Sequence, residues 1–152
     1  MIVSPTPGLR HQVVLFELAI ALEQACPKHL LVILGPFAVR PSSTMELQPD
    51  VLVARRADLT DQLLPVAAVL AVEVLSPSSA LLDLNTKKAS YERIGVPSYW
   101  VVDPQELAVV VFELDGAGRY QQVAEVKGED VLEVERPFPV RIVPVELLDE
   151  SE

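Results

Sequence analysis

Three charged residues occupy positions that the surrounding sequence would otherwise give to core side chains. Glu73 interrupts the aliphatic run "AVLAVEVL", and Asp50 opens the run "DVLVA" directly after a proline. Lys87 lies four residues before Tyr91, on the mostly apolar stripe of a predicted helix. Burying an isolated ionised carboxylate costs several kcal/mol even after the protein relaxes. These charges therefore need either a partner or a chemical role.

Two carboxylates and an ammonium that converge on a sheet have the composition of a phosphodiester-cleaving site. Carboxylates are hard oxygen ligands for Mg²⁺, an ion that keeps several waters and shares phosphate oxygens. A bound ion would offset the repulsion and the desolvation of Asp50 and Glu73. A nearby ammonium such as Lys87 can position the attacking water and stabilise negative charge at phosphorus.

Each residue also has a purely structural explanation, and spacing alone leaves both explanations open. Asp50 could terminate a strand, and Glu73 could pair with a buried cation. Lys87 could extend its stem along the sheet edge and keep its ammonium in water. The adjacent Lys88 falls one step round the helix with Glu92, as an i, i+4 pair that we expect to face solvent.

Hydrophobic periodicity and turn residues predict the elements that carry these side chains. The clearest helix spans residues 11–26, with one line of residues at Val13, Phe16, Ile20 and Glu23 and with leucines beside it. Strands are predicted at 30–40 with a break at Gly35-Pro36, at 48–56, at 68–79 and at 98–104. A second helix covers 83–95 and ends at Gly95, a hairpin covers 107–126, and a short strand with a helical tail covers 140–149. This order predicts an α/β (α+β) domain with a mixed sheet and helices packed against it.

Composition limits the class of protein. The 152 residues predict a single domain over 1–152, half of the residues are hydrophobic, and no apolar run reaches the roughly 18 residues of a membrane span. A single cysteine, Cys26, and the lack of a signal-like N-terminus favour the cytoplasm. The net charge of −10 would repel a polyanion. A nucleic-acid role therefore requires a local basic patch, a metal ion or a partner subunit.

Four segments together resemble the Uma2 family, a branch of the PD-(D/E)XK nuclease-like superfamily. They are "SPTPGLRHQVVLFELAIALEQ", "QPDVLVARRADL", "AVEVLSPSS" and "DLNTKKASYERIGVPSYWVVDP", and the resemblance runs from about residue 4 to residue 104. It implies a restriction-endonuclease-like core, which is a central mixed sheet flanked by helices, here followed by a C-terminal hairpin. It assigns Asp50 and Glu73 to the two acidic motif positions. It also implies Mg²⁺ or Mn²⁺ as the cofactor and nucleic acid, DNA above all, as the substrate.

The chain departs from the usual superfamily motif in two respects. The motif lysine lies two residues after the acid, but that position here is Leu75. The resemblance moves the lysine to the following helix, at Lys87, and the helical spacing singles out the same residue. Family members also carry an N-terminal hairpin before the first helix, whereas this chain begins near its end. This leaves dimer contacts and part of the site open.

Other residues are weaker candidates for the site. His11 matches a family histidine and could contact phosphate, cap the helix or be structural. Glu17 could be the acid that many of these nucleases carry on the first helix, or a solvated side chain. Asp83 could serve catalysis or cap its helix. Arg55 and Arg56 end the Asp50 strand, where they could bind phosphates or form a solvated turn.

The sequence therefore favours a Mg²⁺-dependent, endonuclease-like phosphodiesterase. Asp50 and Glu73 would hold the ion, with the Val74 carbonyl as a further ligand, and Lys87 would position the water. One alternative is a non-catalytic binding or assembly module that retains the nuclease fold, and a homodimer is expected in either case. Another is a functionless buried ion pair, in which Glu73 and Lys87 touch inside a closed core. Tyr91 and Trp100 are interpreted as core residues.

Overall fold

The computed structural model describes residues 8–76 and 81–148, except for the side chains of residues 81–83. The two helices are α1 (Leu9–Ala25) and α2 (Leu81–Ile94). The strands are β1 (Leu30–Leu34), β2 (Ala38–Ser42), β3 (Met45–Leu47), β4 (Val51–Arg55), β5 (Leu63–Leu64), β6 (Leu70–Val74), β7 (Ser98–Asp103), β8 (Ala108–Leu114), β9 (Tyr120–Lys127), β10 (Leu132–Val134) and β11 (Val140–Ile142). Short 3₁₀ turns cover Arg56–Asp58 and Pro144–Leu148.

A six-stranded mixed sheet in the order β1-β4-β6-β7-β8-β9 forms the centre of the fold. Only the β6–β7 pair is parallel within this sheet, and its other pairs are antiparallel. Because two parallel neighbours need a long crossover connection, α2 supplies that connection between β6 and β7. The α+β class, the central mixed sheet and the β8–β9 hairpin confirm the fold predicted from the sequence. Two small sheets, β3-β2-β5 and β10-β11, are added to it.

Both faces of the central sheet are covered, which explains why β4 and β6 read as continuous apolar runs. One face packs against Val14, Leu18 and Leu22 of α1, and the other packs against Tyr91 of α2. Every residue of β6 is buried, Glu73 included. On the parallel neighbour β7, Tyr99 packs in the Tyr91 cluster and Trp100 packs in the cluster with α1.

The buried stripe of α1 differs from the predicted line. The residues that face the sheet are His11, Val14, Leu18, Ala19 and Leu22. Phe16, which belonged to the predicted line, is 54% exposed. Apolar residues occur almost all round this helix, so the sequence offers more than one apolar stripe. The position of the sheet selects one of them.

The predicted surface pair on α2 is wrong. The Lys88 ammonium lies 4.1 Å from the centre of the Phe112 ring, as a cation–π contact. The Glu92 carboxylate accepts a 2.7 Å hydrogen bond from the Tyr120 N–H. Both side chains therefore reach the β8–β9 hairpin, which local spacing on a helix cannot reveal.

Helix α2 ends where the sequence predicts. Gly95 has φ +86, and its N–H donates to the carbonyl of Tyr91 at 3.1 Å. This left-handed conformation suits glycine, because a Cβ there would meet the neighbouring carbonyl. Among the described helices, none is both long and apolar enough to cross a membrane.

Candidate active site

Asp50 and Glu73 lie near each other at the same end of the neighbouring strands β4 and β6. The antiparallel register pairs Leu52 with Ala71 and ends at Val51 and Val72, which Asp50 precedes and Glu73 follows. The Asp50 carboxylate is close enough to raise the pKa of Glu73.

The position of Asp50 is fixed by backbone groups on two neighbouring strands. Its Oδ2 accepts a 2.7 Å hydrogen bond from the Val74 N–H, and its carbonyl accepts one of 2.7 Å from the Gly35 N–H. A Cβ at residue 35 would collide with the Pro49 carbonyl, so only glycine allows this close approach. Among the described residues, none donates to Oδ1 of Asp50. Asp50 borders a groove of about 510 Å³.

Glu73 is 5% exposed, and donors on α2 occupy both of its oxygens. Oε1 accepts a hydrogen bond from the Lys87 Nζ at 3.2 Å, and Oε2 accepts one from the Tyr91 hydroxyl at 2.7 Å. Burial raises the pKa of Glu73 above its ordinary value, against the opposing effect of the Tyr91 hydrogen bond. The Asp50 carboxylate raises this pKa further, and Lys87 lowers it. Asp50 and Glu73 therefore repel each other, and a bound cation would reduce that repulsion.

Lys87 reaches inward but remains partly in solvent. Its side chain is 46% exposed, compared with 6% for Glu73. A functionless ion pair would require contact inside a closed core. The contact is present, but Lys87 is partly exposed and Asp50 is half-buried, so the Glu73–Lys87 pair is not fully enclosed.

His11 connects α1 to the residue that follows Glu73. Its Nε2 donates to the Val74 carbonyl at 3.0 Å, because a carbonyl oxygen can only accept. Its Nδ1 lies 2.9 Å from Oε1 of Gln12. Residue 74 is thus held at both ends, with its N–H on Asp50 and its carbonyl on His11. The ring also borders the groove beside Asp50.

Several weaker candidates are not brought to the carboxylate pair. Glu17 lines a separate cavity with Arg141 and Glu146, because six residues along α1 rotate it about 240° from His11. The structure therefore does not bring Glu17 to the carboxylate pair, and its role as a first-helix acid stays a prediction.

The two arginines are also remote from the carboxylates. Arg55 lies at the opposite end of β4 from Asp50, about 17 Å away at the usual rise per residue. The Nε of Arg56 donates to the Lys28 carbonyl at 2.8 Å. The structure therefore does not bring the two arginines to the carboxylates, and phosphate binding by them stays a prediction. The Asp83 side chain lies outside the described residues.

Two contributors to this region were not predicted as such. Arg10 donates from Nε to the Pro104 carbonyl at 2.7 Å and borders a cavity of about 340 Å³ together with His11. Because Arg10 directly precedes His11 in the sequence, it could have been named as a candidate for the same region. Tyr91 was interpreted only as a core residue, although its spacing of four residues from Lys87 places both on one stripe of α2.

The donor set fits a magnesium-type ion. Asp50 and Glu73 supply hard carboxylate oxygens, and such an ion is commonly held by one or two carboxylates and several waters. In the described part of the chain, no group of three or more His, Cys, Asp or Glu side chains could hold a metal. An ion here would therefore rely on the two carboxylates, on water and on the Val74 carbonyl as a further donor.

Comparison with known proteins agrees with this fold. Residues 1–146 match the model of the Uma2 family, described as "Putative restriction endonuclease". A crystal structure titled as that of "a putative nuclease belonging to DUF820" from Anabaena variabilis superposes with a TM-score of 0.75 and 17% sequence identity. The match covers 96% of this chain and 84% of that chain, and at this identity it shows the fold alone. No curated protein matches the chain. By the extent of the family match, the chain belongs to the Uma2 family of restriction endonuclease-like proteins.

Proposed function

We propose that this protein is a metal-dependent nuclease that hydrolyses phosphodiester bonds of nucleic acid, with DNA as the leading substrate. The observation that carries the proposal is the convergence of Asp50, Glu73 and the Lys87 ammonium at the same end of β4 and β6. Family membership supports the reaction class. The two carboxylates would hold Mg²⁺ or Mn²⁺, which when bound supplies Lewis-acid stabilisation of phosphate charge.

Lys87 takes the role of the motif lysine that is absent at Leu75. Its Nζ lies 3.2 Å from Oε1 of Glu73, and its side chain is 46% exposed, so solvent reaches it. From this position the ammonium orients the water that attacks phosphorus and stabilises the negative charge that develops there. Glu73 keeps the ammonium close to the site without enclosing it.

The charge balance restricts how the substrate binds. The chain carries −10 overall, so long-range attraction to a polyanion is absent. Among the described arginines and lysines, Arg10 borders the 340 Å³ cavity beside His11, and Lys87 contacts the Glu73 carboxylate. Phosphate contacts are therefore few, and we expect binding that depends on the divalent ion and only weakly on salt.

The test is cleavage of plasmid, single-stranded DNA and RNA with and without Mg²⁺ or Mn²⁺. Glu73→Ala and Lys87→Ala are each expected to abolish cleavage, because they remove a ligand and the water-positioning ammonium. Lys88→Ala is the matched control, since this adjacent lysine of α2 contacts Phe112 instead. Full activity in both site variants would refute the assignment.

A second candidate is a non-catalytic, homodimeric binding module. It is favoured by apolar side chains that remain exposed beside the groove, with Phe16 at 54% and Leu34 at 43% exposure. Titration with Mn²⁺ separates the two functions, because the module requires no ion. Binding that is absent, or equal in an Asp50→Ala/Glu73→Ala variant, would favour the module. Light scattering on Phe16→Ser would report whether this surface joins two copies.

A further inference from the structure

We propose that Tyr91 is a positioning residue that holds the Glu73 carboxylate in the orientation needed to bind the divalent ion. This inference rests on the proposed function and extends it to a residue outside the acidic and lysine positions of the motif. The role is one of geometry, because Tyr91 would touch neither the ion nor the substrate.

The first argument is the distribution of donors around Glu73. Lys87 donates to one oxygen at 3.2 Å, and Tyr91 donates to the other at 2.7 Å. A carboxylate with one donor can still turn about its last side-chain bond. Two donors, one turn apart on the same helix, fix its plane, because the distance between them is set by the backbone of α2.

The second argument concerns charge. A phenol donates one hydrogen bond and stays neutral, so Glu73 keeps its negative charge for an ion. A second ammonium in the place of Tyr91 would compete with that ion for the carboxylate. Lys87 and Tyr91 together thus hold Glu73 with a single positive charge. Against the two carboxylates of Asp50 and Glu73, this leaves one negative charge for an ion to neutralise.

The third argument is that the Tyr91 ring is itself immobilised. Tyr91 is 1% exposed, and its ring centre lies 5.0 Å from that of Tyr99. Tyr99 in turn stacks on Phe112 and Tyr120, at 6.0 and 5.8 Å. The Tyr91 carbonyl accepts from the N–H groups that follow α2, which fixes its backbone. A donor held in this way can impose its orientation on the acceptor.

The chain offers a matched control for this hydroxyl. Tyr99 belongs to the same cluster and is fully buried, but its hydroxyl has no partner among the described residues. Tyr99→Phe and Tyr91→Phe therefore remove the same atom from the same aromatic layer. Only the second change removes a hydrogen bond to Glu73.

The experiment measures Mn²⁺ affinity of the full chain by calorimetry, for the wild type, Tyr91→Phe and Tyr99→Phe. Loss of a hydrogen-bonding partner behind a metal ligand typically costs about 10- to 100-fold in affinity or activity. We expect this loss for Tyr91→Phe, with a lower kcat and an unchanged KM for nucleic acid. Tyr99→Phe should match the wild type in all three quantities.

The outcomes separate this inference from the function on which it rests. A wild type that does not bind Mn²⁺ refutes the proposed nuclease site. A wild type that binds, with Tyr91→Phe equal to Tyr99→Phe, overturns the role of Tyr91 and leaves the site intact.

A spectroscopic measurement applies even where Tyr91→Phe does not fold. The chain has three tyrosines, so a Tyr99→Phe/Tyr120→Phe variant leaves Tyr91 as the single phenol. Mg²⁺ should perturb the ultraviolet absorbance of that phenol, because the ion withdraws charge from its acceptor. The same titration after Glu73→Gln should give no such change. A phenol that does not respond in the first variant, although the ion binds, contradicts the proposal.

Discussion

Replacement of Gly35 by alanine tests whether the Pro49–Asp50 backbone packs directly against residue 35. Gly35 donates its N–H to the Asp50 carbonyl at 2.7 Å, and a Cβ at this position would collide with the carbonyl of Pro49. The new methyl group meets backbone, which cannot rotate away as a flexible side chain could. The segment that carries Asp50 must therefore move away from Gly35.

The cost can be estimated from two effects. Forcing a methyl group into a packed space costs about 1–3 kcal/mol of unfolding free energy. A weakened hydrogen bond to Asp50 adds about 1 kcal/mol. For a chain of this size each kcal/mol lowers the melting temperature by about 2–4 °C. In the proposed nuclease site, a displacement of Asp50 by about 1 Å would reduce cleavage on the order of 10²-fold.

The assay is urea denaturation together with Mn²⁺ calorimetry, and Gly116→Ala is the control. A Cβ at Gly116 would have no neighbouring atom within 4 Å, and this residue lies in the exposed β8–β9 turn. Its replacement by alanine should therefore change stability and Mn²⁺ binding little. We expect Gly35→Ala to lower the denaturation midpoint and to weaken Mn²⁺ binding. If Gly35→Ala and Gly116→Ala behave alike in both measurements, the close packing at Asp50 is refuted.

Three further predictions concern buried polar groups. Because the pKa of Glu73 is raised in the folded state, its contribution to stability is present below its ordinary value of 4.5 and is lost as the pH rises through the raised value. As the pH increases, the unfolding free energy of Glu73→Gln should therefore rise relative to that of the wild type. The variant should also lose Mn²⁺ binding. If the stabilities of the two proteins change in parallel with pH, the raised pKa of Glu73 is contradicted. His11→Ala should cost about 1–3 kcal/mol in chemical denaturation, because it leaves the Val74 carbonyl without its donor. Tyr99→Phe should leave the melting temperature unchanged or raise it, because it removes a buried hydroxyl without a described partner; a lowered value would reveal a partner.

The strands that hold the carboxylates could be read from the sequence because their pattern is local. Apolar runs mark β4 and β6, and the register brings Asp50 and Glu73 to the same end of the two strands. The break at Gly35-Pro36 and the stop at Gly95 also follow from local backbone requirements. The short strands β3, β5 and β10 were missed, since two or three residues become strands only by pairing with a neighbour.

Three expectations about neighbouring residues took nearness along the chain for nearness in space. Arg55 and Asp50 belong to the same strand, yet a strand carries its two ends to opposite edges of the sheet. Glu17 and His11 belong to the same helix but face different sides. Lys88 and Glu92 have the spacing of a surface pair, but the β8–β9 hairpin offers each a closer partner.

The sequence by itself singled out Asp50, Glu73 and Lys87 as charges at otherwise apolar positions, because charge and periodicity are properties of short segments. It pointed to Lys87 by helical spacing, although the Lys87 side chain is 46% exposed. Only the tertiary structure decided which atoms meet, above all that Tyr91 donates to Glu73 and that His11 and Asp50 hold the two ends of Val74. These contacts join residues 18 to 63 positions apart. They depend on the crossover of α2 and on the packing of α1, which no local pattern contains.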